Sequence, residues 1–184
     1  MLNNILENKD FYSNVLRNQL QEVRKKSGLT QQQVGNVLAK NQIFISNSES
    51  GRRTLEIADL IALSQIYGFD AGDVLDNLST LLKKTAENNS DSDNTLENSA
   101  VPLFFKESTT ANNLIAKLLK ECRTAAGFTQ EQVATVLGET QSFISNCESG
   151  RRRVSGVELL GFCELYNVRV SALMDELQKQ LERE

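Results

Sequence analysis

Shifting the chain by 99 positions lays residues 24–78 on residues 123–177 without a gap, and 22 of the 55 superposed positions are identical. Self-similarity at a fixed offset constrains the fold more than any local signal, because whatever one copy folds into must also suit the other. The densest matches are Gly28-Leu29-Thr30-Gln31 on Gly127-Phe128-Thr129-Gln130, and Phe44 to Arg53 on Phe143 to Arg152, where only Ser48/Cys147 differs. The offset also brings Ile5-Leu6 onto Phe104-Phe105, which suggests an apolar turn before each copy. The expected organisation is a first domain over residues 1–84, a polar acidic linker over 85–110 that ends in the short apolar segment, and a second domain over 111–184.

The linker reading rests on the stretch TAENNSDSDNTLENS at 85–99, which has no hydrophobic period and little to bury. A flexible tether of roughly 30 residues spans about 30 Å, enough to let the two copies sit apart or against each other. Net charge is -4, but residues 1–84 carry 10 basic and 9 acidic groups, 85–110 carry 1 and 5, and 111–184 carry 9 and 10. The acidity therefore sits between the copies, and each copy is near neutral. Such a domain still binds phosphate when its cations gather on one face.

Composition removes several functions. With no His and only Cys122, Cys147 and Cys163 as soft ligands, neither a four-ligand zinc site nor a Ser-His-Asp or Cys-His pair can be assembled. We expect no enzyme activity, no metal and no cofactor. No apolar run approaches the roughly 18 to 20 residues needed to span a bilayer, and the N-terminal residues lack the order of an export signal, so a cytoplasmic protein without membrane contact is expected. The cysteines align with Val23, Ser48 and Ser64 and read as reduced core thiols, although Cys147 lies on a helix that matters below.

Each copy reads as five short helices. Val15, Leu16, Leu20 and Val23 recur at helical spacing until Gly28. Thr30 then stands three residues before Gln33, and Thr129 three before Gln132, which is the capping-box arrangement for a second helix ending near Leu38 or Leu137. A third begins after Asn41 or Thr140 and stops at Gly51 or Gly150. Two more follow near 55–67 and 71–82, with counterparts in the second copy. The fold class is all-α, two five-helix domains on one chain.

The third helix is two-faced. At about 100° per residue, Phe44, Ile45 and Ser48 fall together, while Gln42, Ile43, Ser46 and Asn47 fall on the opposite side. Gln and Asn bond bidentately to adenine, Ser serves as donor or acceptor, and an apolar side chain meets a thymine methyl. The second copy offers Gln141, Ser142, Ser145 and Asn146 in the same places. A solvated helix explains one such face, but repetition of the outward residues along with the inward ones favours a reading surface.

The pattern Arg24-x-x-x-Gly28-Leu29-Thr30-Gln31, followed by Ile45-Ser46-x-x-Glu49-x-Gly51-Arg52-Arg53, resembles the phage repressor and Cro type of helix-turn-helix domain, the XRE-like family. The second copy resembles it equally through Arg123, Gly127, Thr129, Gln130, Ile144, Ser145, Glu148, Gly150, Arg151 and Arg152. The resemblance implies a lambda-repressor-like fold in which Gln42, Ile43, Ser46 and Asn47, with Gln141, Ser142, Ser145 and Asn146, read bases in the major groove. It further implies that Gln31 and Gln130 contact phosphate and brace the first reading residue. Arg52, Arg53, Arg151 and Arg152 are implied as phosphate contacts, with Arg153 adding one where the first copy has Thr54. Arg24 with Glu49, and Arg123 with Glu148, are implied as internal ion pairs.

These readings converge on a sequence-specific regulator of transcription, most simply a repressor, whose partner is double-stranded DNA. The duplication is expected to reproduce a dimer inside one chain as an intramolecular pseudo-dimer, with a homodimer as the alternative, and regulation would come from occupancy, a protein partner or proteolysis. The rival class is a protein-interaction module, antitoxin-like or scaffold, in which one or both copies no longer read DNA and the apolar stripes of 71–82 and 170–181 form the docking surface.

Overall fold

A computed structural model describes residues 8–87 and 108–183. Helices α1 (Lys9–Lys26), α2 (Gln31–Val37), α3 (Gln42–Ser50), α4 (Ile57–Tyr67) and α5 (Ala71–Glu87) form the first copy, and α6 (Ser108–Ala125), α7 (Gln130–Leu137), α8 (Gln141–Glu148), α9 (Gly156–Tyr166) and α10 (Val170–Arg183) the second. The expected all-α class holds. Helix α5 runs through 85–87 and α6 starts at 108, so both ends of the segment read as linker are helical. Its middle, and the apolar pairs Ile5-Leu6 and Phe104-Phe105, lie outside the described residues.

Helix ends follow from local chemistry. The Thr30 and Thr129 hydroxyls accept from the amides of Gln33 and Gln132, whose side chains return a bond to the cap backbone, giving both expected capping boxes. Asn41 and Thr140 likewise accept from the amides of Phe44 and Phe143. A side-chain cap of this kind is worth about 1 kcal/mol, which matters for helices of two turns. Gly51 closes α3 with φ 78°, a left-handed conformation in which a Cβ would be strained.

Each copy contributes apolar positions to one continuous core rather than to two. Leu16, Leu20, Val34, Ile45, Leu60 and Leu75 of the first copy belong to the same buried cluster as Ile115, Leu119, Val133, Ile144, Leu160 and Leu177 of the second. Helices α5 and α10 pack against each other, so the stripe Val74, Leu75, Leu78 and the stripe Val170, Leu173, Met174, Leu177 are buried inside the chain. The apolar faces on which an interaction module would depend are therefore already occupied.

The two copies meet about an approximate two-fold axis. The amide of Ile57 donates to the carbonyl of Val154 at 3.0 Å, and that of Gly156 to the carbonyl of Leu55 at 3.4 Å. Residue 57 corresponds to 156 and 55 to 154, so the two bonds exchange under the repeat, and the bridged pair Glu56 and Ser155 is one position facing its own equivalent. Helix contacts obey the same rule, since α4 packs on α6 while α9 packs on α1. The contact between the two copies is therefore isologous, each presenting the same positions to the other.

Gly72 and Ser171 are also equivalents that meet near this axis. A Cβ placed on Gly72 would lie 2.9 Å from the Ser171 Cα, a backbone atom that cannot swing away. Replacing Gly72 with Leu should therefore push α5 off α10 and cost about 1 to 3 kcal/mol of folding stability. Urea unfolding followed by circular dichroism checks it, with a lowered midpoint and unchanged helix content as the expected result.

Candidate nucleic-acid interface

Helices α3 and α8 owe their outward faces to what they bury. Ile45 and Ile144 are almost fully enclosed, as are Ser48 and Cys147 one turn on, while Phe44 and Phe143 are half-buried. Gln42, Ile43, Gln141 and Ser142 are exposed, and Ser46, Asn47, Ser145 and Asn146 are intermediate, so the expected reading residues of each copy lie together on the solvent side. Ile43 is 65% exposed, an unusual setting for a branched apolar side chain.

A charged relay fixes each of these helices to the first helix of its copy. Arg24 Nη2 donates to Glu49 Oε2 at 3.0 Å and its Nη1 to the carbonyl of Leu29 at 2.7 Å, while Arg123 makes the same two bonds, to Glu148 at 3.0 Å and Phe128 at 2.7 Å. Gln31 and Gln130 each donate to the same carboxylates at 2.9 Å. In the second copy the relay reaches the exposed face of α8, since Gln141 Nε2 donates to Gln130 Oε1 at 2.8 Å. Gln42 makes no side-chain hydrogen bond among the described residues, so the first residue of the third helix is braced in one copy.

Burial alone would push the Glu49 carboxyl up, but bonds from Arg24, Gln31 and Gln21 outweigh it and hold that group below the usual carboxylate range. Hydrogen bonding to Glu49 raises the Arg24 guanidinium further. Such a pair stabilises mainly in the sense that removing one partner strands the other, at roughly 3 to 5 kcal/mol.

The arginines after each helix divide into two kinds. Arg53 is paired with Asp59 and lies 4.2 Å from the centre of the Phe44 ring, and Arg152 donates to Glu158 at 2.6 Å and lies 4.4 Å from the Phe143 ring. Both guanidiniums are clamped between a ring face and a carboxylate of their own domain. Arg153 reaches across the axis to Glu56 at 2.9 Å, so the extra cation of the second copy spans the junction. Arg52 and Arg151 are exposed and make no ion pair among the described residues.

Sequence reasoning did not single out Asp59 or Glu158, although both stand six residues after the second arginine, a recurring spacing that signals the pair. It also passed over Lys40, which is exposed beside the Phe44 ring at 5.8 Å, where the second copy has Glu139. Lys9 was invisible as a partner, because its bond to Glu158 at 2.7 Å joins residues 149 apart. Burial would raise Glu158, yet bonds from Lys9 and the Ser155 amide, with Arg152 nearby, keep it low.

The third-helix cysteine is sealed in. Cys147 is fully buried, and burial pushes its thiol up to about 12, so it is neither ionised nor reachable at neutral pH.

A short capped helix, a tight turn and a second capped helix with an exposed polar face thus occur twice in one chain. A family model described as a helix-turn-helix domain matches residues 15–78 and again residues 114–177. The chain belongs to this family. It is a tandem pair of the phage repressor and Cro type, and the two matched ranges differ by the same 99 positions as the internal repeat. No curated protein matches it. Among the described residues, no helix is long and apolar enough to cross a membrane.

Acid should weaken this tandem helix-turn-helix protein through its low-lying carboxylates. Glu49 has a folded value below its unfolded one, so its stabilisation is complete above the unfolded value of about 4.5 and is lost as pH falls through the folded value. Native protein should therefore exceed the Glu49→Gln variant in stability by a constant margin from pH 7 to about 5 and by a shrinking margin below that. Urea unfolding at stepped pH reads the margin.

Proposed function

We propose that this chain is a sequence-specific regulator of transcription that binds double-stranded DNA with both helix-turn-helix units at once, acting as a repressor by covering its site. The observation that carries the reading is the pairing of two exposed amide-and-hydroxyl faces, α3 and α8, about the axis that runs between Glu56 and Ser155. Each face offers Gln, Ser and Asn side chains whose donors and acceptors match base edges in the major groove. Two equivalent faces related by a two-fold axis favour two related half-sites in inverted order, since duplex DNA carries local two-fold axes of its own. No second chain is required for this arrangement.

Within each unit, Gln42, Ser46 and Asn47 read bases in one half and Gln141, Ser145 and Asn146 in the other, with Ile43 and Ser142 at the one unlike position. Gln31 and Gln130 position the reading helix through Glu49 and Glu148. Phosphate contact falls to the exposed Arg52 and Arg151, because Arg53, Arg152 and Arg153 are already neutralised by carboxylates.

Selection of bound duplexes from a random library with the full-length protein should enrich one motif with two inverted, related halves. Gln42→Ala and Gln141→Ala should each relax preference in one half, at about 1 to 3 kcal/mol per lost bidentate contact, with folding unchanged. Enrichment of no motif by a folded protein rejects the proposal.

Arg52 and Arg53 should separate cleanly. Arg52→Ala should weaken binding to all duplexes alike and reduce the slope of log affinity against log salt by about 1. Arg53→Ala should instead lower the thermal midpoint, because it leaves Asp59 and the Phe44 face without their partner. Salt titration and a melting curve on the same two variants distinguish the roles.

A further inference from the structure

The two heads share a backbone frame but not a reading surface. Three differences sit at or beside the reading helix. Ile43 stands 65% exposed where the second copy has Ser142, Lys40 stands where it has Glu139, and Gln141 is held by Gln130 while Gln42 is unbonded among the described residues. Resting on the DNA-reading function above, we infer that the operator is polar, and that its half under the first copy presents a pyrimidine C5-methyl group to Ile43.

The argument is one of complementarity. Ile43 is the second residue of α3 and shares its outward face with Ser46 and Asn47, one turn further along. Among the groups on the major-groove floor, most are donors and acceptors, and the methyl group at pyrimidine C5 presents the largest apolar surface. Pressed onto a donor or acceptor, an isoleucine side chain excludes water without replacing its hydrogen bond, which is penalised. Pressed onto a methyl group, it removes apolar surface from water on both sides. Ser142 carries no such bias, since a hydroxyl both donates and accepts.

The other two differences reinforce the polarity. A free Gln42 adapts to the base beside that methyl, whereas Gln141 is pre-set by its bond to Gln130 and demands one geometry. Lys40 adds a cation near the phosphates of the first half, and Glu139 adds an anion near those of the second. Exchanging the two half-sites therefore does not give an equivalent complex, even though the axis would permit it.

Thymine and 5-methylcytosine both supply the methyl group, and the test separates them. Using the selected operator and the full-length protein, each thymine is replaced singly by deoxyuridine, and affinity is read by fluorescence anisotropy. One position in one half should lose about fourfold, the equivalent of one methylene-sized group returned to water. The same position carrying 5-methylcytosine paired with guanine should bind better than cytosine paired with guanine if the methyl group alone is read, and no better if thymine is required for its other edge groups as well. Either result keeps Ile43 as the reader.

Ile43→Ser should abolish the deoxyuridine effect, and Ser142→Ile should create one in the other half. Circular dichroism melting of both variants should match the native protein, because both positions are exposed. Tolerance of deoxyuridine throughout an enriched operator, or a deoxyuridine effect that persists in Ile43→Ser, overturns the inference and leaves the regulator reading standing. Enrichment of no operator overturns both.

Discussion

Everything in the molecule depends on the burial that α5 and α10 give each other across the approximate two-fold axis. Each last helix packs on its own copy, α5 on α1 and α4 and α10 on α6 and α9, and their mutual contact completes the burial of both stripes. Packed together, Val74, Leu75, Leu78, Val170, Leu173 and Leu177 join a core that runs through both copies. The antiparallel exchange between Ile57 and Val154, and between Gly156 and Leu55, then sets the register of the join. The relative placement of α3 and α8 follows from this seam.

Inside each copy a smaller constraint does comparable work. The Arg24 and Arg123 guanidiniums span from the first helix to the carboxylate at the end of the third, and to the carbonyl that opens the second. Three elements are thereby locked to one charge, and the glutamine at the start of the second helix is drawn onto the same carboxylate. A buried pair of this kind contributes less to net stability than to geometry, because its desolvation offsets much of its attraction. What it secures is the angle at which the third helix of each copy leaves the core.

The frame is symmetric while its trimmings are not. Lys9 pairs with Glu158, and its counterpart is Ser108; Arg153 pairs with Glu56, and its counterpart is Thr54. Two identical chains would have to make each contact twice. A duplicated chain can make it once, and so can differentiate the two faces it presents without disturbing the seam between them.

Helix order, the caps of the two short helices and the chemistry of the outward faces were determined by sequence alone, because each depends on residues within a turn or two of one another. Thr30 with Gln33, Asn41 with the Phe44 amide, and the wheel that sorts Ile45 from Gln42 needed no distant partner. The ion pair of Arg24 with Glu49 was legible through its repetition in Arg123 with Glu148 and through family resemblance. Tertiary structure alone decided that the copies close on each other, that Arg153 serves Glu56 and Lys9 serves Glu158, and that the last helices pack on each other. Those outcomes turn on groups that lie on different helices, several of them more than ninety residues apart, where periodicity and capping carry no information and only packing and charge neutralisation in three dimensions choose the partner.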